Sequence, residues 1–218
     1  MRGLAFFSGG KDSVFAVMRA KQRGIPVDCL LFNTHDFPRP SVHEINKGVV
    51  DTIARLLGIP LRTVHLEEGK EYEILESIFS ELEVGVVTVG NINVKDQMEW
   101  YERICDRTGV KLHAPLWAGP GAPTLARLEE QVSSGLRAAI CSLNSSLMPA
   151  QYLGRVIDEP LLYELPRLAD PCGEGGEYHT LVVDAPVMSG KIVLGAFDKL
   201  EFGDYQMLKF KDYKVEAK

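Results

Sequence analysis

Apolar residues along this chain fall into short continuous runs, separated by stretches in which they recur every three or four positions. The segments from Leu4 to Phe7, Val27 to Phe32, Leu61 to Leu66, Val84 to Val89 and Val110 to His113 read as strands, although charged or polar residues interrupt the second, third and fifth. The fourth is β-branched and continuously hydrophobic, as a strand covered on both faces should be. Helical spacing joins Val14, Val17, Met18 and the stem of Lys21 up to a stop at Gly24. It recurs from His43 to Leu57, before Gly58 and Pro60, and again from Glu71 to Leu82 and from Asp96 to Arg107. The stretch from Asn33 to Val42 holds Pro38 and Pro40 and is predicted to be irregular. Strand and helix thus alternate, which predicts an α/β fold: a doubly wound parallel five-stranded sheet with right-handed crossovers.

Regular structure breaks at Trp117 to Pro123, a run holding two glycines and two prolines. The break divides the chain into an expected nucleotide domain, 1–120, and a smaller C-terminal α+β domain, 121–218. In the second part the pattern predicts a helix from Thr124 to Ser133 and a strand from Arg137 to Ser142. Two short helices follow, around Ala150 to Leu153 and Glu159 to Leu165. Three strands close the chain: His179 to Asp184, Lys191 to Phe197 and Tyr205 to Phe210.

A net charge of −6 over 218 residues argues against non-specific nucleic-acid binding. Cys29, Cys105, Cys141 and Cys172 are scattered, with no Cys-x-x-Cys pair, which points to a reducing cytoplasm and away from structural zinc. No apolar run approaches the roughly 18 residues a membrane span needs, so a soluble protein is expected.

The first strand leads directly into Ser8-Gly9-Gly10-Lys11-Asp12-Ser13, and a helix follows. Glycines let backbone N–H groups approach an anion, and the helix N-terminus adds partial positive charge. Lys11 supplies a cation, Ser8 and Ser13 supply hydroxyls, and Asp12 can cap the helix or hold Mg²⁺ on phosphate oxygens. A Walker loop would need glycine at Ala5 and a hydroxyl at Asp12, so this is another kind of phosphate loop. Gly90-Asn91 follows the fourth strand as a second candidate loop at the same sheet edge.

A second concentration of chemistry runs from Asp170 to Thr180. Glu174 and Glu177 suit a metal ion or an amine, and His179 can carry a proton near neutral pH. Gly175 and Gly176 let the backbone close on a ligand.

The first loop resembles the Ser-Gly-Gly-x-Asp-Ser signature of PP-loop ATP pyrophosphatases, which cleave ATP between its α and β phosphates. Taken with Glu174 to Thr180, the chain resembles the diphthine-ammonia ligase family of that group. Ser41-Val42-His43, Gly58-Ile59-Pro60-Leu61, Pro115-Leu116-Trp117 and Leu153-Gly154-Arg155-Val156-Ile157-Asp158 add to the match, which covers about residues 1 to 190. Met98, Trp100 and the Gly90-Asn91 pair depart from the common pattern.

The resemblance implies the strand order 3-2-1-4-5 of adenine nucleotide alpha hydrolase-like folds. It also implies an ATP-dependent amide ligase: a carboxylate is adenylated, then aminated by ammonia, with release of AMP and pyrophosphate. In the eponymous members that carboxylate is diphthine on elongation factor 2. Lys11, Asp12, Glu174, Glu177 and His179 are then the expected catalytic groups, with Mg²⁺ on Asp12. Ser8 to Ser13, Phe32, Asn33, Thr34, His43, Gly90 and Asn91 would hold ATP. Arg155, Gly175, Gly176, Tyr178 and Thr180 would hold the acceptor. A homodimer is carried as an expectation. Two other readings stay open: a PP-loop enzyme with a different acceptor, either a small molecule or tRNA, and a non-catalytic adenine-nucleotide-binding protein.

Overall fold

The computed structural model describes residues 1–36 and 39–218. They form two compact units, each assembled from separate parts of the chain.

One unit comprises Met1–Ser8, Asp12–Pro38 and Ile59–Ala122. It carries five parallel strands, β1 (Arg2–Phe6), β2 (Cys29–His35), β3 (Leu61–Leu66), β4 (Val84–Thr88) and β5 (Lys111–His113). They are ordered β3-β2-β1-β4-β5, the order that the resemblance implies. Helix α1 (Lys11–Gln22) follows β1 and buries Val14, Phe15, Val17 and Met18, the face expected from its spacing. Two further helices are numbered α4 (Glu71–Glu81) and α5 (Lys95–Thr108) in chain order. Their Leu75, Ile78, Phe79 and Ile104 join Leu4, Leu31, Leu66 and Val87 of the strands in one core cluster. Burial of this kind stabilises by about 1.5–3 kcal/mol per large side chain.

Strand β2 runs through Asn33, Thr34 and His35, where an irregular stretch was expected, because all three pair in parallel register with Val64, His65 and Leu66 of β3. Pro38 lies outside the described residues.

The other unit comprises Gly9–Lys11, Arg39–Gly58 and Pro123–Lys218. The single helix expected from His43 to Leu57 is two, α2 (Val42–Ile45) and α3 (Lys47–Leu57). Asn46 separates them. Its buried amide donates to the carbonyls of Val42 at 2.9 Å and Leu208 at 2.8 Å, and its Oδ1 accepts from the N–H of Phe210 at 3.0 Å. Those bonds hold the residue at φ −106° and ψ 31°, outside helical geometry. Gly58, at φ 69°, closes α3.

Helices α6 (Leu125–Ser133) and α7 (Glu159–Glu164) accompany strands β6 (Arg137–Asn144), β7 (Tyr178–Asp184), β8 (Gly190–Leu194), β9 (Phe197–Phe202), β10 (Tyr205–Phe210) and β11 (Tyr213–Ala217). An antiparallel sheet runs β7-β6-β10-β9, and β8 pairs with β11 alone. The strand expected from Lys191 to Phe197 is split at Gly195. A Cβ there would lie 1.6 Å from Asp212 Oδ1, so a side chain at this bend would have to displace the Asp212 carboxylate.

Candidate active site

Within the second unit, strand β7 holds the glycine loop in place. The Thr180 hydroxyl accepts from the backbone N–H of Lys11 at 3.0 Å, and the N–H of Val182 donates to the carbonyl of Gly9 at 2.9 Å. Gly9 sits at φ +77°, and an added Cβ would press on Ile53 at 3.2 Å and Val50 at 3.3 Å. The turn is therefore tight against α3, and its left-handed conformation favours glycine.

Lys11 is only 3% exposed. Its ammonium donates to the carbonyl of Cys172 and lies 5.4 Å from the ring centroid of Tyr178, a contact that suits a cation over an aromatic face. Tyr178 in turn donates its hydroxyl to the carbonyl of Pro171. Lysine and acidic loop, about 160 residues apart in sequence, thus meet directly.

The acidic loop is ordered by Asp170. Its Oδ1 accepts from the backbone N–H groups of Cys172 at 3.0 Å and Glu174 at 3.1 Å, and its Oδ2 from the Thr124 hydroxyl at 2.8 Å. The N–H of Asp170 donates to Glu177 Oε1 at 3.2 Å. Gly173 and Gly176, at φ +77° and +82°, make the reversals between these points. The rings of His43 and His179 meet edge to face with centroids 5.8 Å apart. His179 is exposed, so its imidazole can exchange protons with solvent or a bound molecule.

In the first unit, Ser8 and Ser13 close the strand-to-helix turn. The Ser13 hydroxyl lies 3.3 Å from both the N–H and the hydroxyl of Ser8. Asp12 stands in the first turn of α1, where a carboxylate favours the helix dipole and remains half-exposed. Gly90 approaches that turn so closely that a Cβ would lie 2.8 Å from the Asp12 carbonyl. Phe32 is buried in β2. Asn33 reaches His35 Nε2 at 2.7 Å, and Thr34 reaches His65 Nδ1 at 3.1 Å.

Family models for the N-terminal and C-terminal domains of diphthamide synthase match residues 1–112 and 124–215. A zebrafish (Danio rerio) diphthine–ammonia ligase is 30% identical, over 94% of this chain and 90% of its own length. The human (Homo sapiens) diphthine–ammonia ligase is 27% identical, over all of this chain and 94% of its own length. In budding yeast (Saccharomyces cerevisiae) the relative of that name is 24% identical, over 85% of this chain and 33% of its own length. The chain belongs to the diphthamide synthase family.

In this diphthamide synthase family member, two of the residues expected at the site bond to near neighbours in the chain. Asn91 closes its own turn, donating to the carbonyl of Val94 at 2.7 Å and accepting from its N–H at 3.0 Å. Arg155 forms a two-pronged ion pair with Glu164, at 2.8 and 3.3 Å, and Tyr152 donates to the same carboxylate. Hydrogen bonds from Arg155 first and Tyr152 second hold the Glu164 carboxyl below the usual range. The Thr180 hydroxyl is taken up by the backbone N–H of Lys11 in the glycine loop.

Sequence reasoning missed Thr124, Val182 and the ordering role of Asp170. For Asp170 a signal existed: an aspartate two residues before a turn N–H, in Asp-Pro-Cys-Gly, is an Asx turn in waiting. Thr124 and Val182 carry no local signature, since both act across long sequence separations. Among the described residues, no group of three His, Cys, Asp or Glu is arranged to hold a metal ion, and no helix is long and apolar enough to cross a membrane.

Proposed function

We propose that this chain is an ATP-dependent amide ligase acting on diphthine. An acceptor carboxylate oxygen attacks the α-phosphorus of ATP, and the bond from that phosphorus to the bridging oxygen breaks to release pyrophosphate. Ammonia then attacks the acyl carbon, AMP leaves, and the surplus proton of the new amide passes to a base. Diphthine on elongation factor 2 is the acceptor, in the cytoplasmic setting that suits scattered cysteines without a Cys-x-x-Cys pair.

One observation carries the reading: the lysine of the N-terminal phosphate loop and the acidic loop of the C-terminal motif touch inside one compact unit. A group that stabilises the departing pyrophosphate therefore lies beside groups suited to an acceptor and an amine. An ammonium with three donors can satisfy a carbonyl and a phosphate together, and burial strengthens its field. Glu174 and Glu177 draw the amine toward the acyl carbon. His179, exposed on β7, takes the proton.

The nucleotide-side residues of the first unit are Ser8, Asp12, Ser13, Phe32, Asn33, Thr34 and Gly90. Asp12 suits Mg²⁺, a hard ion commonly held by one or two carboxylates and phosphate oxygens. When bound, Mg²⁺ neutralises phosphate charge. Incubation with ATP, ammonium and diphthine-bearing elongation factor should release AMP in step with amide formed. ADP as the product would overturn the proposal.

A further inference from the structure

We infer that Asp170 is a positioning residue for the amide-forming step, acting through Glu174, Glu177 and the carbonyl that receives Lys11. The inference rests on the ligase reading above. Five hydrogen bonds converge on this one residue: three to its carboxylate, from Cys172, Glu174 and Thr124, one to its carbonyl from the N–H of Gly173, and one from its own N–H to Glu177. Thr124 is 1% exposed, and its hydroxyl oxygen also accepts from the N–H of Cys172 at 3.2 Å, so the anchor is buried and shared. Cys172 offers its carbonyl to the Lys11 ammonium, and the peptide plane carrying that carbonyl is tied to Asp170 through the Gly173 N–H, which donates to the Asp170 carbonyl at 2.9 Å. Through its carboxylate Asp170 thereby sets the backbone at Cys172 and Glu174, and through its main chain it ties the side chain of Glu177 and the Gly173 peptide.

Misplacing reacting groups by about an ångström costs on the order of 100-fold in rate. D170A should therefore lower kcat by about that factor while the KM for ATP moves by less than about threefold. D170N keeps an amide oxygen able to accept from Cys172 and Glu174, and should recover a large part of the lost kcat. T124V, which removes the anchor, should fall between wild type and D170A. Amide hydrogen exchange reads the same ties without turnover: Cys172 and Glu174 should exchange faster in D170A, and near wild-type rates in D170N.

If wild type itself releases no AMP, the ligase reading fails, and the exchange rates alone judge the ties of Asp170. If wild type is active and D170A keeps its kcat, or D170N is as impaired as D170A, the positioning role is wrong. A loss of ATP affinity matching the loss of kcat would also overturn it, as would unchanged exchange at Cys172 and Glu174.

Discussion

The hydroxyl of Thr180 accepts the backbone N–H of Lys11 at 3.0 Å, joining residues 169 positions apart. Lys11 is buried, as is Thr180 at 4% exposure, so water cannot replace the bond. The late motif thus holds the backbone of the early one.

Removing the acceptor should leave a buried N–H unsatisfied. T180V is expected to cost about 1–3 kcal/mol in urea unfolding and to weaken ATP binding, whereas T180S should resemble wild type in both. Nucleotide titration and denaturant curves on the two variants check this. Equal behaviour of Val and Ser would remove the strut from the account.

Gly90 is excluded from bearing a side chain by contact alone. A Cβ there meets Asp12 C and O at 2.8 Å and Ser13 N at 2.9 Å, all backbone atoms that cannot swing aside. At Gly24, by contrast, φ is +68° with nothing within 4 Å. G24A should cost about 1–2 kcal/mol from the left-handed backbone and leave nucleotide affinity alone. G90A should cost more and impair ATP binding, as calorimetric titration would show.

His113 contributes a pH dependence of known sign. Burial pushes its pKa down, with the Arg23 charge adding to it. Its Nδ1 lies 3.3 Å from the Thr88 hydroxyl, while Nε2 is buried with no hydrogen-bond partner. The unfolded chain therefore binds a proton on this residue more readily than the native one. Its share of stability is intact above the ordinary histidine range and lost as pH falls through it. Urea midpoints between about pH 7.5 and about pH 5.5 should fall less for H113N than for wild type.

Glu164 acts in the same direction at lower pH. Because its native carboxyl is held low by Arg155 and Tyr152, its contribution is present above the usual carboxylate pKa and fades as pH drops through the lowered value. E164Q should flatten the acid limb of the stability profile. An unchanged acid limb would show that the pair adds nothing to folding.

The parallel sheet was legible because its strands are short segments rich in apolar or β-branched residues, alternating with helices that show their own period, so local pattern and final packing agree. Long-range contacts account for the misses. Asn46 breaks a continuous helical pattern through bonds to Leu208 and Phe210, and β2 is prolonged by the partner strand β3. Strand β11, Tyr-Lys-Val-Glu-Ala, is too polar and short to announce itself without β8 beside it. At the candidate site the residue types were readable, since glycines, lysine and carboxylates cluster in two short segments. Which atom of each is occupied was not: Thr180 supports backbone, Asn91 binds its own turn and Arg155 answers Glu164.

The central claim is that an acceptor carboxylate attacks the α-phosphate. Diphthine carrying heavy-isotope oxygen in its carboxylate, turned over with ATP and ammonium, tests it most directly. The AMP released should gain one heavy oxygen and the pyrophosphate none. Unlabelled AMP, or label in inorganic phosphate beside ADP, would contradict it.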